Sequence, residues 1–271
     1  MKKSIIVVLT LALIVLTQTA QASTWQKLDN NPATKAIVAD GKDLYQLHKD
    51  GKIWKYTGTP CLLSCSGWQQ LDNNPATVAI NASNGNLYKL HNDGSIWKYT
   101  WAPYPIKTWY WLQLSNSPGT KMIVADGNNL YQLKTNGKIL KYNGTPITGW
   151  KELSNYPVTV AIAANAGNLY KLDNNGEIWK LAEVFGRQLW QKLDNNPATR
   201  AIVVDGTNLY QLHNDGKIWR YEGTPITGWK LLDNNPATKA IAASGNELYQ
   251  LHNTGKIWRY EGTPITGWEL L

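Results

Sequence analysis

One heptapeptide governs what this chain can become. Leu28-Asp-Asn-Asn-Pro-Ala-Thr34 recurs unchanged at 71–77, 193–199 and 232–238, and in looser form at 114–120 (LSNSPGT) and 153–159 (LSNYPVT). The prolines of the six copies fall at 32, 75, 118, 157, 197 and 236, a period of about 40 residues. Each copy leads into an apolar run (in the first, Ile37-Val-Ala39), a turn (Asp40-Gly41), a strand-like run (Leu44-Tyr-Gln-Leu47), a second turn (ending at Gly51), another run (Ile53-Trp-Lys-Tyr56) and a new Trp. Short runs of β-branched and aromatic residues, punctuated by Asp-Gly, Asn-Gly and Gly-Thr-Pro, read as strands joined by hairpins. None has the length or the period of an amphipathic helix. Four strands in each of six units near 40 residues indicate an all-β, six-bladed β-propeller of four-stranded antiparallel blades.

The propeller is expected as a single domain over 23–271, with repeats starting near 25, 68, 111, 150, 190 and 229. In the first repeat the strands are expected at 35–39, 44–48, 52–56 and 68–71. Seven segments compete for six outer-strand places. Residues 268–271 are expected to complete the sixth blade, with 25–28 competing for the same edge. Both faces of every blade are expected to be buried against neighbours, closing a ring. Most of the 14 Trp and 14 Tyr fall at repeat-equivalent positions, so packing is their first duty. Repeats 1, 3 and 5 read I-V-A/V-D-G at the first turn, whereas 2, 4 and 6 carry Ser or Asn, the mark of growth from a two-blade unit.

The N-terminus reads as a secretory leader over 1–22. Lys2 and Lys3 precede an apolar stretch over 5–16 that is broken only by Thr10, and Ala20-Gln-Ala22 supplies a small-x-small cleavage pattern before Ser23. Its removal lowers the formal charge from +8 to +6. The apolar run is short for a bilayer span, so a secreted or periplasmic protein without stable membrane insertion is expected. An oxidising compartment lets Cys61 and Cys65 pair as a local disulfide. Without a third or fourth ligand nearby they make a weak metal site. The lysines are spread through the repeats instead of forming a tail, and no nucleic-acid partner is expected.

The pattern W-x-x-L … I-x-A-x-G-x-x-L-Y-x-L … G-x-I-W-x-Y, carried over nearly all of 25–271, resembles the tectonin and tachylectin-type β-propeller lectins. The resemblance implies carbohydrate recognition at several equivalent sites between blades, without catalysis. Two repeats depart from the pattern. Repeats 3 and 4 lack the loop aspartate, and Leu140 replaces the third-strand Trp, so these blades are expected to be silent.

An active site needs a one-off constellation of unlike groups within hydrogen-bond reach. Here the titratable groups are copied, because all four histidines occupy one repeat position. Asp50-Gly-x-x-Trp54 echoes the Asp-box turns of sialidases but is one residue short, and two of the four arginines are repeat copies. No nucleophile elbow, zinc-binding histidine pair or phosphate-binding glycine loop is present. A non-enzymatic protein with no cofactor and no metal is therefore expected.

Copying suits a multivalent binder. Strand polarity puts the Asp-Asn-Asn loops and the His-x-Asp-Gly hairpins on one face, with the Gly-Thr-Pro-Ile-Thr-Gly loops opposite. The candidate sugar-binding residues are then Asp29, Asn30, Asn31, His48 and Trp54 in the first blade, and Asp72, Asn73, Asn74, His91 and Trp97 in the second. The fifth blade offers Asp194, Asn195, Asn196, His213 and Trp219, and the sixth Asp233, Asn234, Asn235, His252 and Trp258. The competing structural reading is that Asn and Asp before Pro are ordinary turn residues. The functional alternatives are a protein-binding scaffold, using this rim or the aromatic insertion over 101–111, and a hydrolase with its site in the central channel.

Overall fold

The computed structural model describes residues 28, 29, 31–58 and 67–271. The leader over 1–22, Trp25, Asn30 and the Cys61/Cys65 pair lie outside the described residues. The described residues form six four-stranded antiparallel sheets arranged as a six-bladed β-propeller. In blade 1 the strands, lettered a to d from the axis outward, are Thr34–Asp40, Asp43–His48, Ile53–Tyr56 and Trp68–Asp72, each paired with the next. Blades 2 to 6 repeat the order at 77–115, 120–155, 159–194, 199–233 and 238–270. Consecutive blades touch through their a strands. Trp268–Leu270 is the outer strand of blade 6.

The two-residue period of a strand explains how one sequence phrase builds both sides of a seam. In blade 1, Tyr45 and Leu47 share a face with Ile53 and pack on Ile80 and Leu87 of blade 2. Ile80 and Leu87 are the repeat equivalents of Ile37 and Leu44. The same cluster recurs at the seams 2/3, 3/4, 4/5 and 5/6.

Three further devices fasten these seams. The d-strand indoles of Trp150, Trp190, Trp229 and Trp268 donate to the carbonyls of Leu114, Leu153, Leu193 and Leu232, one d strand back, and Trp68 donates likewise to Leu28 ahead of blade 1. At the axis, acceptors in the a–b turns reach turn amides of the next blade: Asp40 to Asn84 and Gly85, Ser83 to Gly127, Asp126 to Gly167, Asn165 to Gly206, and Asp205 to Asn246. The two-blade alternation in the sequence is thus an alternation of inter-blade acceptors. Finally, the b–c hairpin glycines Gly51, Gly137, Gly176 and Gly216 sit so close to the following d–a loop that a Cβ would overlap its carbonyl and proline.

The sixth seam does not follow. The expectation that both faces of every blade are buried holds at five seams only. Ile257 is 38% exposed where Ile53, Ile96, Ile139, Ile178 and Ile218 are fully buried. Ile37 is 65% exposed although its counterparts in blades 2 to 5 are buried. Gly255 has nothing within 4 Å of its would-be Cβ. The five tight seams join blades that are consecutive in the chain, and each is bridged by a d–a loop carrying one of the repeat prolines (75, 118, 157, 197 and 236). Blades 6 and 1 are not consecutive, so no such loop ties them.

Candidate polar rim and opposing aromatic face

The d–a loops and b–c hairpins of each blade meet on one face, and the geometry there begins with two turns. In the d–a loops the side-chain oxygens of Asn31, Asn74, Asn196 and Asn235 accept the amides of Ala33, Ala76, Ala198 and Ala237 at 2.9–3.0 Å, the local bond that makes Asn a turn residue. In the b–c hairpins, Asp50, Asp93 and Asp215 do the same two residues ahead. Backbone bonds from Lys49, Asn92, Asn214 and Asn253 to the loop carbonyls of Ala33, Ala76, Ala198 and Ala237, all 2.8 Å, lock hairpin to loop.

Behind these turns lies a polar cell in each blade. His48, His91, His213 and His252 are buried, their rings 5.6–5.8 Å from Trp54, Trp97, Trp219 and Trp258. Gln46 links the first cell, donating to Asp29 at 3.0 Å while its carbonyl oxygen meets His48 Nε2 at 3.0 Å. In blade 2, Lys89 replaces Gln46 and forms a buried 2.7 Å pair with Asp72. In the last two cells Thr199 and Thr238 donate to Gln211 and Gln250, and burial pushes the carboxyls of Asp194 and Asp233 up. Burial likewise holds the imidazoles of His91 and His213 below their ordinary value.

The two blades expected to be silent fill the cell differently. In blade 4, Asp173 takes the histidine position and is paired with buried Lys171 at 2.9 Å and with Thr159. In blade 3, Lys134 takes it and donates to Ser117 and the Pro118 carbonyl, while Leu140 stands where other blades have Trp.

So the structure brings together the predicted Asp, His and Trp, and it also shields them. Trp54, Trp219 and Trp258 Nε1, His91, His213 and His252 Nε2, and one oxygen each of Asp194 and Asp233 are closed to solvent without a hydrogen bond. The second loop asparagines (31, 74, 196 and 235) are occupied by their own turns. What reaches solvent is the first asparagine, exposed at Asn73, Asn195 and Asn234, while the Trp rings of the same blades are half-buried.

The opposite face carries what the repeat pattern left open. The insertion over 101–111 is a hairpin extension in which strand c of blade 2 (Ile96–Ala102) and strand d (Thr108–Ser115) run on together. Trp109 stacks on Tyr99 at 5.0 Å and meets Trp101 edge-on, and Trp101, Tyr104, Ile106, Trp109 and Tyr110 are exposed. Blade 4 extends its c–d hairpin in the same way, through Ile178–Val184 and Arg187–Asp194, with Phe185 fully exposed at the tip. Repeat reasoning missed a cleft between blades 3 and 4 on this face. Its signal was Leu181, alone in a column of tyrosines (56, 99, 142, 221 and 260).

No family model matches the chain, and neither does any curated protein. Solved structures match in fold. Prp20p from Saccharomyces cerevisiae, with binding properties to Gsp1p and histones, has a TM-score of 0.61 at 11% identity, covering 83% of this chain and 71% of its own. YCF48 bound to D1 peptide gives 0.61 at 14%, covering 90% and 86%. The nidogen/laminin complex gives 0.57 at 15%, covering 81% and 89%. At such identities the likeness concerns the β-propeller fold alone. Among the described residues no three His, Cys, Asp or Glu side chains are grouped to hold a metal ion, and no helix is long and apolar enough to cross a membrane.

Proposed function

We propose that the chain is an exported, non-catalytic carbohydrate-binding propeller that recognises surface glycans through its copied rim. The observation that carries this reading is that blades 2, 5 and 6 repeat on one face an exposed loop asparagine (Asn73, Asn195, Asn234) and a half-buried Trp (Trp97, Trp219, Trp258) seated against a buried histidine. A planar amide and an aromatic plate are what a pyranose asks for: paired hydrogen bonds on its edge and an apolar surface for its C–H face. The buried Asp, His and Gln hold these groups in place. Individually weak sites on one folded scaffold gain by effective concentration on a dense glycan surface, and preformed blades keep the ordering cost of binding low.

A glycan array with the 23–271 chain tests it. Selective signals competed by a free monosaccharide are expected, and Asn73→Ala/Asn195→Ala/Asn234→Ala should lower them at least tenfold through lost avidity. A triple variant that binds as wild type removes the rim from the site.

A second reading, protein recognition, is favoured by the exposed aromatic hairpin of blade 2. Large aromatic anchors are typical of protein interfaces. The fold neighbours bound to a peptide or a protein partner lend this reading support. An array without signal, together with a pull-down abolished by Trp101→Ala/Trp109→Ala, would decide for it.

A further inference from the structure

At four seams the mouth on the aromatic face is plugged by one tyrosine. The strand-c tyrosine of each following blade leans on the strand-b tyrosine of the blade before: Tyr99 by Tyr45, Tyr142 by Tyr88, Tyr221 by Tyr170, Tyr260 by Tyr210. At the seam 3/4 the place belongs to Leu181, packed in the same cluster as Tyr131. Leucine lacks the outer part of the ring and the hydroxyl.

A second plug is missing at the same seam. In blades 3, 5 and 6 the Gly-Thr-Pro-Ile loop folds back and donates an isoleucine amide to the preceding blade, Ile147 to Leu114, Ile226 to Leu193 and Ile265 to Leu232, at 2.8–2.9 Å. Blade 4 has the extended hairpin instead, and among the described residues no loop amide reaches the Leu153 carbonyl there. Blade 2 also lacks the loop, but Trp109 and Trp111 close on Tyr99 there. Both departures coincide only between blades 3 and 4.

The result is a cleft of about 210 Å³, the share of roughly seven waters at ~30 Å³ each. Its floor is Leu153, Leu169 and Leu181, and its polar lining is Tyr131, Lys141, Glu183 and Gln188. The blade 1 counterparts Tyr45 and Lys55 are both taken by Asp43. Among the described residues, Lys141 has no ion pair and rests 5.7 Å above the Tyr131 ring. Tyr131 is 3% exposed, lines the cleft, and its hydroxyl makes no hydrogen bond to another described residue. A cation, a carboxylate, an amide and a phenol thus converge unspent over an apolar floor, in a space the size of one sugar ring. Such a few placed polar groups around apolar lining are the general form of a small-ligand site.

We propose that this cleft is a single monosaccharide site, distinct from the copied rim and on the opposite face, which takes the pyranose terminus of a glycan. It rests on the carbohydrate reading above and adds a one-per-chain site to it. Glu183 and Gln188 receive and donate to adjacent hydroxyls, Lys141 and Tyr131 bind the ring edge, and the leucines take the C–H face.

The test titrates 15N-labelled 23–271 chain with the methyl glycosides of glucose, galactose, mannose, fucose and N-acetylglucosamine, with glutamine as a zwitterionic control. At least one glycoside is expected to saturate one site, shifting amides of 139–143 and 180–190. Leu181→Tyr restores the residue that the other five blades carry, so the fold is kept, and it should abolish those shifts. Glu183→Gln and Lys141→Met should each weaken binding about tenfold, the worth of one hydrogen bond to a charged group. Unchanged titration of Leu181→Tyr, or saturation by glutamine and by no glycoside, overturns the proposal. The two readings fail separately. Array signals that persist while no glycoside shifts 139–143 leave the rim and remove the cleft. A silent array with a saturable cleft does the reverse.

Discussion

At the scale of the residue, the sequence shows which positions the fold has claimed and which it has not. Phe185 is the chain's single phenylalanine. It stands fully exposed in a two-residue hairpin turn with φ of 50°, followed by Gly186 at 72°. Such a turn favours Asn-Gly, and a bulky side chain in the left-handed region costs about 1–2 kcal/mol. Since the ring buries nothing, Phe185→Asn should stabilise the protein by about 1 kcal/mol, a rise of roughly 2–4 °C in Tm for a domain of this size. Thermal unfolding followed by circular dichroism checks it, and a fall in Tm would mean that the ring is packed. The same scale marks how far the candidate site was legible. That Asp, His and Trp share a cell followed from strand polarity. That their polar atoms face inward did not, because burial depends on the neighbouring blade, and Gln46 and Lys89, which knit two of the cells, look in sequence like ordinary strand residues.

At the scale of the element, turn chemistry made the hairpins predictable to within a residue: strand a of blade 1 was expected at 35–39 and runs Thr34–Asp40. The c–d hairpins of blades 2 and 4 were not, since a run such as Trp-Ala-Pro-Tyr-Pro has no repeat equivalent from which to read its pairing. The b–c hairpin with its buried histidine carries the pH dependence. The imidazoles of His91 and His213 are held low by burial; for His91, the Lys89 charge adds to this against Asp93 and Asp72. Below the ordinary value of about 6.5 the unfolded chain takes up protons that the folded chain refuses. Their stabilising contribution is therefore present above that pH and is lost as pH falls toward the depressed values. Asp194 and Asp233, held high, act in the opposite sense, giving up stability as pH rises through their raised values. Between pH 7.5 and 5.5 the histidines set the slope. The expected outcome is a Tm that drops over this range in the wild type and drops less in His91→Gln/His213→Gln. Parallel curves would place the titration elsewhere.

At the scale of the whole molecule, the repeat count, the blade order and the outer strand of blade 6 could all be read from one chain, because each is a property of neighbours in sequence. Closure is a property of two surfaces some 200 residues apart. Blade 6 presents Tyr249, Leu251 and Ile257, and blade 1 presents Ile37 and Leu44, the side chains that pack at the other five seams, yet these remain partly open. The mechanical consequence, among the described residues, is that blade 6 packs tightly on blade 5 and only loosely on blade 1. Glycine substitution measures this directly. Gly216 and Gly255 are repeat equivalents with φ of 86° and 83°, so alanine imposes the same backbone strain at either. At Gly216 the added Cβ also strikes the Asn235 carbonyl and Pro236, whereas at Gly255 it meets nothing. Forcing an atom into a packed contact typically costs about 1–3 kcal/mol. Gly216→Ala should therefore lose several degrees more than Gly255→Ala, at ~2–4 °C per kcal/mol. If instead the two variants melt together, Gly255 must be meeting the loop around Asn31 and Pro32 as tightly as Gly216 meets Asn235, and the sixth seam is closed in solution like the other five.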